Sequence, residues 1–128
     1  MGSDFSTTDV STRAFTRDDL SDADFRHATA HDAHFSHCQM TRADFRAADL
    51  RRTSFAACDL TNADFRDADL RGARISKAST TSGWALCDLT GAKLAGADLR
   101  GCIFEPGTRW PEGFDPVAEG AVKADDSA

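Results

Sequence analysis

Large apolar side chains recur at every fifth residue through most of this 128-residue chain. Phe25, Phe35, Phe45, Leu50, Phe55 and Leu60 share one register, which continues through Phe65, Leu70 and Ile75. Two places before each stands a small residue, Ala23, Ala33, Cys38, Ala43 and so on. A longer period overlies this one: "TRADFRAADL" at 41–50 returns as "TNADFRDADL" at 61–70, and Phe recurs every ten residues from Phe5 to Phe65. Neither the 3.6-residue period of a helix nor the period of two of a strand gives this pattern. A square coil does, with each five-residue unit forming one side and one corner. The large residue and the small one before it point inward, and the other three point out. Twenty residues close one coil, and coils stack at the roughly 4.7–4.9 Å of paired backbone. The Phe residues then form two opposite columns, Phe5/Phe25/Phe45/Phe65 and Phe15/Phe35/Phe55.

The units "ADFRA", "ADLRR", "CDLTN", "ADFRD" and "ADLRG", the last repeated at 97–101, resemble the A(D/N)LXX unit of the pentapeptide-repeat family over residues 3–104. The resemblance implies an all-β fold, a right-handed quadrilateral parallel β-helix of about five coils with a C-terminal capping segment. The expected organisation is a β-helix over 1–104, a cap over 105–116 and a mostly disordered tail over 117–128. "EPGTRWPEGFDP" ends the repeat with Pro and Gly and offers Trp110 and Phe114 as apolar cover for the open core. Arg13 and Asp18 occupy inward slots of the first coil, so that end is expected to stand open to solvent. Near 79–84, within "SKASTTSGWALC", the phase slips: Ile75 and Thr80 obey the old register, and Trp84, Leu89, Leu94, Leu99 and Phe104 a new one. Read as a shortened corner or bulge, the slip puts 82–86 on face 1, 87–91 on face 2, 92–96 on face 3 and 97–101 on face 4. The alternative is a binding kink marked by Gly83 and Trp84.

Charge sorts by face. Faces 1, 2 and 4, beginning at residues 3, 8 and 18, are each net acidic. Face 1 carries a ladder, Asp4, Asp24, Asp44 and Asp64, with Arg26, Arg46 and Arg66 two residues away. Face 3, beginning at residue 13, holds no acid in this reading and carries Arg13, Arg17, His34, His37, Arg74, Lys77 and Lys93. Much of the net charge of −6 falls in the segment from Glu105 onward. That balance argues against direct nucleic-acid binding or attraction to anionic membranes. No window approaches the roughly 18 apolar residues of a membrane span, so a cytoplasmic protein is expected.

Three functions compete. The preferred one is a non-catalytic binding rod that docks a protein partner on the acid-free face through Arg17, His34, His37, Arg74, Lys77 and Lys93. The second comes from the resemblance: a well-known branch of the family mimics DNA, binds DNA gyrase and protects it from quinolone-type inhibitors. The acidic ladder would carry that role, yet duplex DNA holds about one charge per 1.7 Å and the ladder about one per coil. The third is a small enzyme using "RHATAHDAHFSHC" at 26–38, which contains all four histidines. Zinc needs ligands converging at about 2.0–2.1 Å, whereas the register spreads His27, His31, His34 and His37 over separate corners and faces. No catalytic constellation accompanies them, and no metal or cofactor is expected. Ala30, in a large-residue slot between Val10 and Leu50, predicts a dent beside His31. Cys38, Cys58, Cys87 and Cys102 fill small inward slots and read as free core thiols.

Overall fold

The computed structural model describes residues 2–124. The chain coils through parallel rungs about 4.8 Å apart, the separation of stacked Phe rings. Three-residue strands β1 (Ala14–Thr16), β2 (His34–Ser36), β3 (Ser54–Ala56) and β4 (Arg74–Ser76) lie on face 3, one per coil. A hairpin follows, β5 (Ala78–Thr80) and β6 (Gly83–Ala85), and then β7 (Ile103–Phe104) and β8 (Val122–Lys123). Face 3 is thus a six-stranded parallel sheet in the order β1-β2-β3-β4-β7-β8, and the solenoid has about six turns rather than five. The segment expected as a tail supplies the last rung, since Val122 pairs with Ile103. Residues 125–128, also assigned to that tail, lie outside the described residues.

The two Phe columns form as expected. Within each, rings stack at 4.8–5.1 Å, and between columns they meet edge to face at 5.8–6.4 Å. Such aromatic contacts add to the burial of apolar area. Small residues precede the rings because the inward positions of all four sides share one narrow interior. Thr53, in one of these slots, is completely buried, and its hydroxyl donates to the Ala30 carbonyl at 2.9 Å. The ends differ. At the first coil Arg13 and Asp18 are exposed, and the Arg13 guanidinium covers Phe15 from 5.1 Å. At the other end Trp110 stacks on Phe114 and meets Phe104 edge to face, making the expected cap.

The corners explain the repeat's polar positions. At most of them the carbonyl of the large residue accepts the N–H three residues on, as from Ala28 to Phe25, and the residue just before that donor has positive φ, as at His27. This is type II turn geometry. The Asp just before the large residue accepts the N–H two residues beyond itself, Arg26 to Asp24 Oδ1 at 3.0 Å. That bond takes the Arg26 N–H out of the inter-coil ladder, and pairing there shrinks to an isolated bridge. Face 3 has Ala14, His34, Ser54 and Arg74 where the other faces carry mostly Asp. Its pairing runs on for three residues. The corner beyond it lacks the turn bond in the second and third coils, where thiols serve instead: Cys38 Sγ donates to the Phe15 carbonyl at 3.2 Å and Cys58 Sγ to Phe35 at 3.3 Å. All four cysteines are free and buried, and burial pushes the Cys102 thiol up to about 12.

The phase slip is an insertion, not a shortened corner. Asp59 pairs with Asp88, Asp64 with Lys93 and Asp69 with Asp98, each 29 residues on where every earlier pair is 20 apart. The extra nine residues, 78–86, are the hairpin, projecting from the corner between faces 3 and 4. Nine added and one removed leave the same phase at a period of five, but they differ by two faces. Consequently 87–91 lies on face 4, 92–96 on face 1 and 97–101 on face 2. Trp84 leaves the core it was expected to enter and is 65% exposed.

Candidate functional site

The acidic ladder is clamped by its own chain. Arg26, Arg46 and Arg66 each reach back two residues to Asp24, Asp44 and Asp64 at 2.7, 2.8 and 2.6 Å. Arg26 and Arg46 also approach the next coil's carboxylate at 3.9 and 3.8 Å. Asp4 is held by the Ser6 hydroxyl and N–H instead. Lys93 caps the ladder above Asp64, so it is no part of face 3. On face 2, Arg51, Arg71 and Arg100 hold Asp49, Asp69 and Asp98 in the same way. Between coils Arg42 holds Asp22, and Arg52 holds Asp32. Hydrogen bonds from Arg26 and Arg66 keep Asp24 and Asp64 below the usual carboxylate range, and Arg52 brings Asp32 to about 2. Face 4 is less compensated: Asp18, Asp19, Asp22, Asp59 and Asp88 share Arg42 and, from the cap, Arg109.

Face 3 is flat. Its outward side chains before the inward column are Ala14, His34, Ser54, Arg74 and Ile103, and those after it include Thr16, Ser36, Ala56 and Ser76. Arg17 and His37 stand at its corners with positive φ, and Arg13 and Arg74 are exposed. The face is not wholly acid-free. Its fifth rung brings Glu105, which binds Lys77 at 3.2 Å. Of the six residues expected to share this face, Arg17, His34, His37 and Arg74 remain on it, Lys77 is tied to Glu105, and Lys93 belongs to face 1.

Beside this face stands the hairpin. Ala78 to Leu86 contain no charged residue, in a chain that is 28% charged. Trp84 faces Ser79 across the pair, and the Lys77 ammonium sits 4.9 Å from its ring centroid. The Thr80 hydroxyl donates to the Gly83 carbonyl and accepts the Ser82 N–H, which closes the turn. At the base, a Cβ at Gly107 would come within 2.9 Å of Leu86 Cδ1, so Leu86 anchors the hairpin against the turn after β7. Sequence periodicity marked Trp84 as the site of a break but sent its ring inward.

The histidines do not converge. His34 lies on β2, His27 and His37 at separate corners, and His31 Nδ1 lies 3.0 Å from Asp32 Oδ2. Among the described residues no three His, Cys, Asp or Glu side chains come together as a metal site. Ala30 is fully buried, and its carbonyl accepts the Thr53 hydroxyl. A cavity of about 320 Å³ lies between the last unit of face 1 and the cap. No helix among the described residues is long and apolar enough to cross a membrane.

A family model for a pentapeptide repeat region matches residues 8–81, and a second for pentapeptide repeats matches 84–105. The chain belongs to the pentapeptide-repeat family. The two matches part at residues 82–83, within the hairpin. Solved pentapeptide-repeat structures have the same fold. Rfr23 from the cyanobacterium Cyanothece 51142 superposes with a TM-score of 0.69 at 20% identity, over 80% of this chain and 64% of that one. QnrB1, a plasmid-mediated fluoroquinolone resistance protein, gives 0.60 at 24% identity, over 81% and 59%. The protein alr5209 from Nostoc Pcc 7120 gives 0.56 at 29% identity, over 96% and 86%. This chain spans under two thirds of Rfr23 and QnrB1. No curated protein matches the sequence.

Proposed function

We propose that this pentapeptide-repeat protein is a non-catalytic docking module whose contact surface is face 3 together with the inserted hairpin. Trp84 is the observation that carries this reading. A large aromatic ring, 65% exposed, stands on an uncharged insertion beside a flat strand-bearing face. Buried aromatic anchors dominate protein interfaces, and rigid solenoids present extended surfaces for them. Arg17, His34, His37 and Arg74 supply donors on that face, which suits a partner segment with acidic or hydroxyl groups. Photo-crosslinking side chains introduced at Trp84, Ser36, Asp59 and Asp64 test the assignment in the cells that make the protein. Adducts from positions 84 and 36 are expected, and adducts confined to 59 or 64 would move the interface to another face.

Topoisomerase protection by DNA mimicry is the second reading, and the acids of face 4 are the feature that favours it. Against it, the ladder of face 1 is neutralised by Arg26, Arg46 and Arg66. A gyrase supercoiling assay with and without a quinolone separates the two: the docking reading expects neither inhibition nor protection.

A further inference from the structure

The cavity at the C-terminal end marks a missing rung. In each complete rung of face 1, three backbone groups engage the next coil. The Lys93 N–H donates to the Ala63 carbonyl at 2.9 Å, the Phe65 N–H to Lys93 at 2.8 Å and the Asp67 N–H to Ala95 at 3.1 Å. One level up, the equivalent groups are the Ala92 carbonyl, the Leu94 N–H and the Gly96 N–H. None of the three makes a hydrogen bond among the described residues. On face 3 and at Arg109 of face 4 the chain does complete this level, but at 111–114 it swings away. The gap left is the cavity of about 320 Å³, floored by Ala92, Leu94 and Gly96 and walled by Phe114. Glu112 and Glu119 line it as well.

We infer that this gap takes an extended peptide segment of a partner protein, which adds the absent rung by strand addition. Backbone pairing supplies affinity and alternate side chains supply specificity in such binding. The first residue of the segment donates its N–H to the Ala92 carbonyl and accepts from the Leu94 N–H. The second points its side chain inward over Leu94, against Phe114, and is therefore apolar. The third accepts from the Gly96 N–H and stands over Ala95, which continues the column of Arg26, Arg46 and Arg66. That column lacks its arginine at Ala95, while Glu112 and Glu119 line the same gap, so the third residue is Arg or Lys. Asp125 and Asp126, which follow the last described residue in the sequence, have the wrong charge for the place. The site lies at the end of the rod and stands independently of the face 3 interface.

The probe is an acetylated, amidated Ser-Thr-Leu-Arg-Gly peptide titrated into the full chain, with amide exchange read by NMR. Saturable binding that slows exchange at Leu94 and Gly96 is expected. N-methylation of the threonine nitrogen should abolish it, because the donor to Ala92 is lost. Exchanging the peptide arginine for glutamate, or making the E112Q/E119Q variant, should weaken it about tenfold, the worth of two modest charge contacts. Absence of saturable binding, equal binding of the N-methylated peptide, or the same shifts from butylguanidinium alone would overturn strand addition.

Discussion

At the scale of the residue, the aspartate before the large residue does two jobs on faces 1 and 2. Its Oδ1 accepts the N–H two residues on, which fixes the turn, and in the middle coils its carboxylate also holds the arginine at that position. Asp64 separates the two. Asp64→Asn keeps the turn acceptor and loses the ion pair, so it should cost under about 1 kcal/mol, whereas Asp64→Ala loses both and should cost about 1–2 kcal/mol, measured by urea denaturation. The same bonds set the acid limb of stability. Arg52 and Arg100 hold Asp32 and Asp98 at about 2, below the unfolded value near 3.9. A carboxylate with a lowered folded pKa contributes its full stabilisation above the unfolded value and loses it as pH falls through the folded one. The melting temperature should therefore hold level down to about pH 5 and fall between about pH 4 and pH 2. A melting temperature that stays level down to about pH 2 would show that these pairs contribute nothing.

The hairpin is the element that separates this chain from a plain repeat. Removing residues 78–86 joins Lys77 to Cys87, as His37 joins Cys38 and Ala57 joins Cys58, and restores the 20-residue spacing seen in every earlier coil. The deletion variant should fold, with a stability within about 1 kcal/mol of the parent, because the lost contacts are mainly those of an exposed element. Loss of the cooperative thermal transition would mean that the hairpin is structural. The period and the inward residues up to Ile75 were legible in the sequence, because both depend on phase alone. The face of every residue after 86 was not. Phase at a period of five cannot tell nine residues gained from one lost, and the misplacement of Lys93 and the inward orientation expected for Trp84 both follow from that ambiguity. The low acid content of face 3 was legible, but its cause lies in backbone geometry: the aspartates sit where the chain makes Asx-type turns, and face 3 runs on as strand.

Taken whole, the molecule is a one-dimensional stack in which each coil contacts only its neighbours, so stability is set coil by coil. Phe45 is completely buried between Phe25 and Phe65, whereas Phe5 is only partly buried at the open end. Phe45→Ala should cost about 3–5 kcal/mol, in the range of buried aromatic truncations, and Phe5→Ala clearly less. Amide exchange should be slowest in the middle coils and fastest in the first, since local opening starts where fewest contacts oppose it. Equal protection from end to end would indicate a single all-or-none unit.

The central claim is that a regular rod, with its face 1 ladder neutralised, carries its function on the hairpin and the flat face beside it. Affinity capture from the producing cells, comparing the parent chain with Trp84→Ala, the 78–86 deletion and Asp24→Asn/Asp64→Asn, tests it most directly. At least one protein should be retained by the parent and by the ladder variant and lost with both hairpin variants. A captured set that survives both hairpin variants and disappears with the ladder variant would contradict the account.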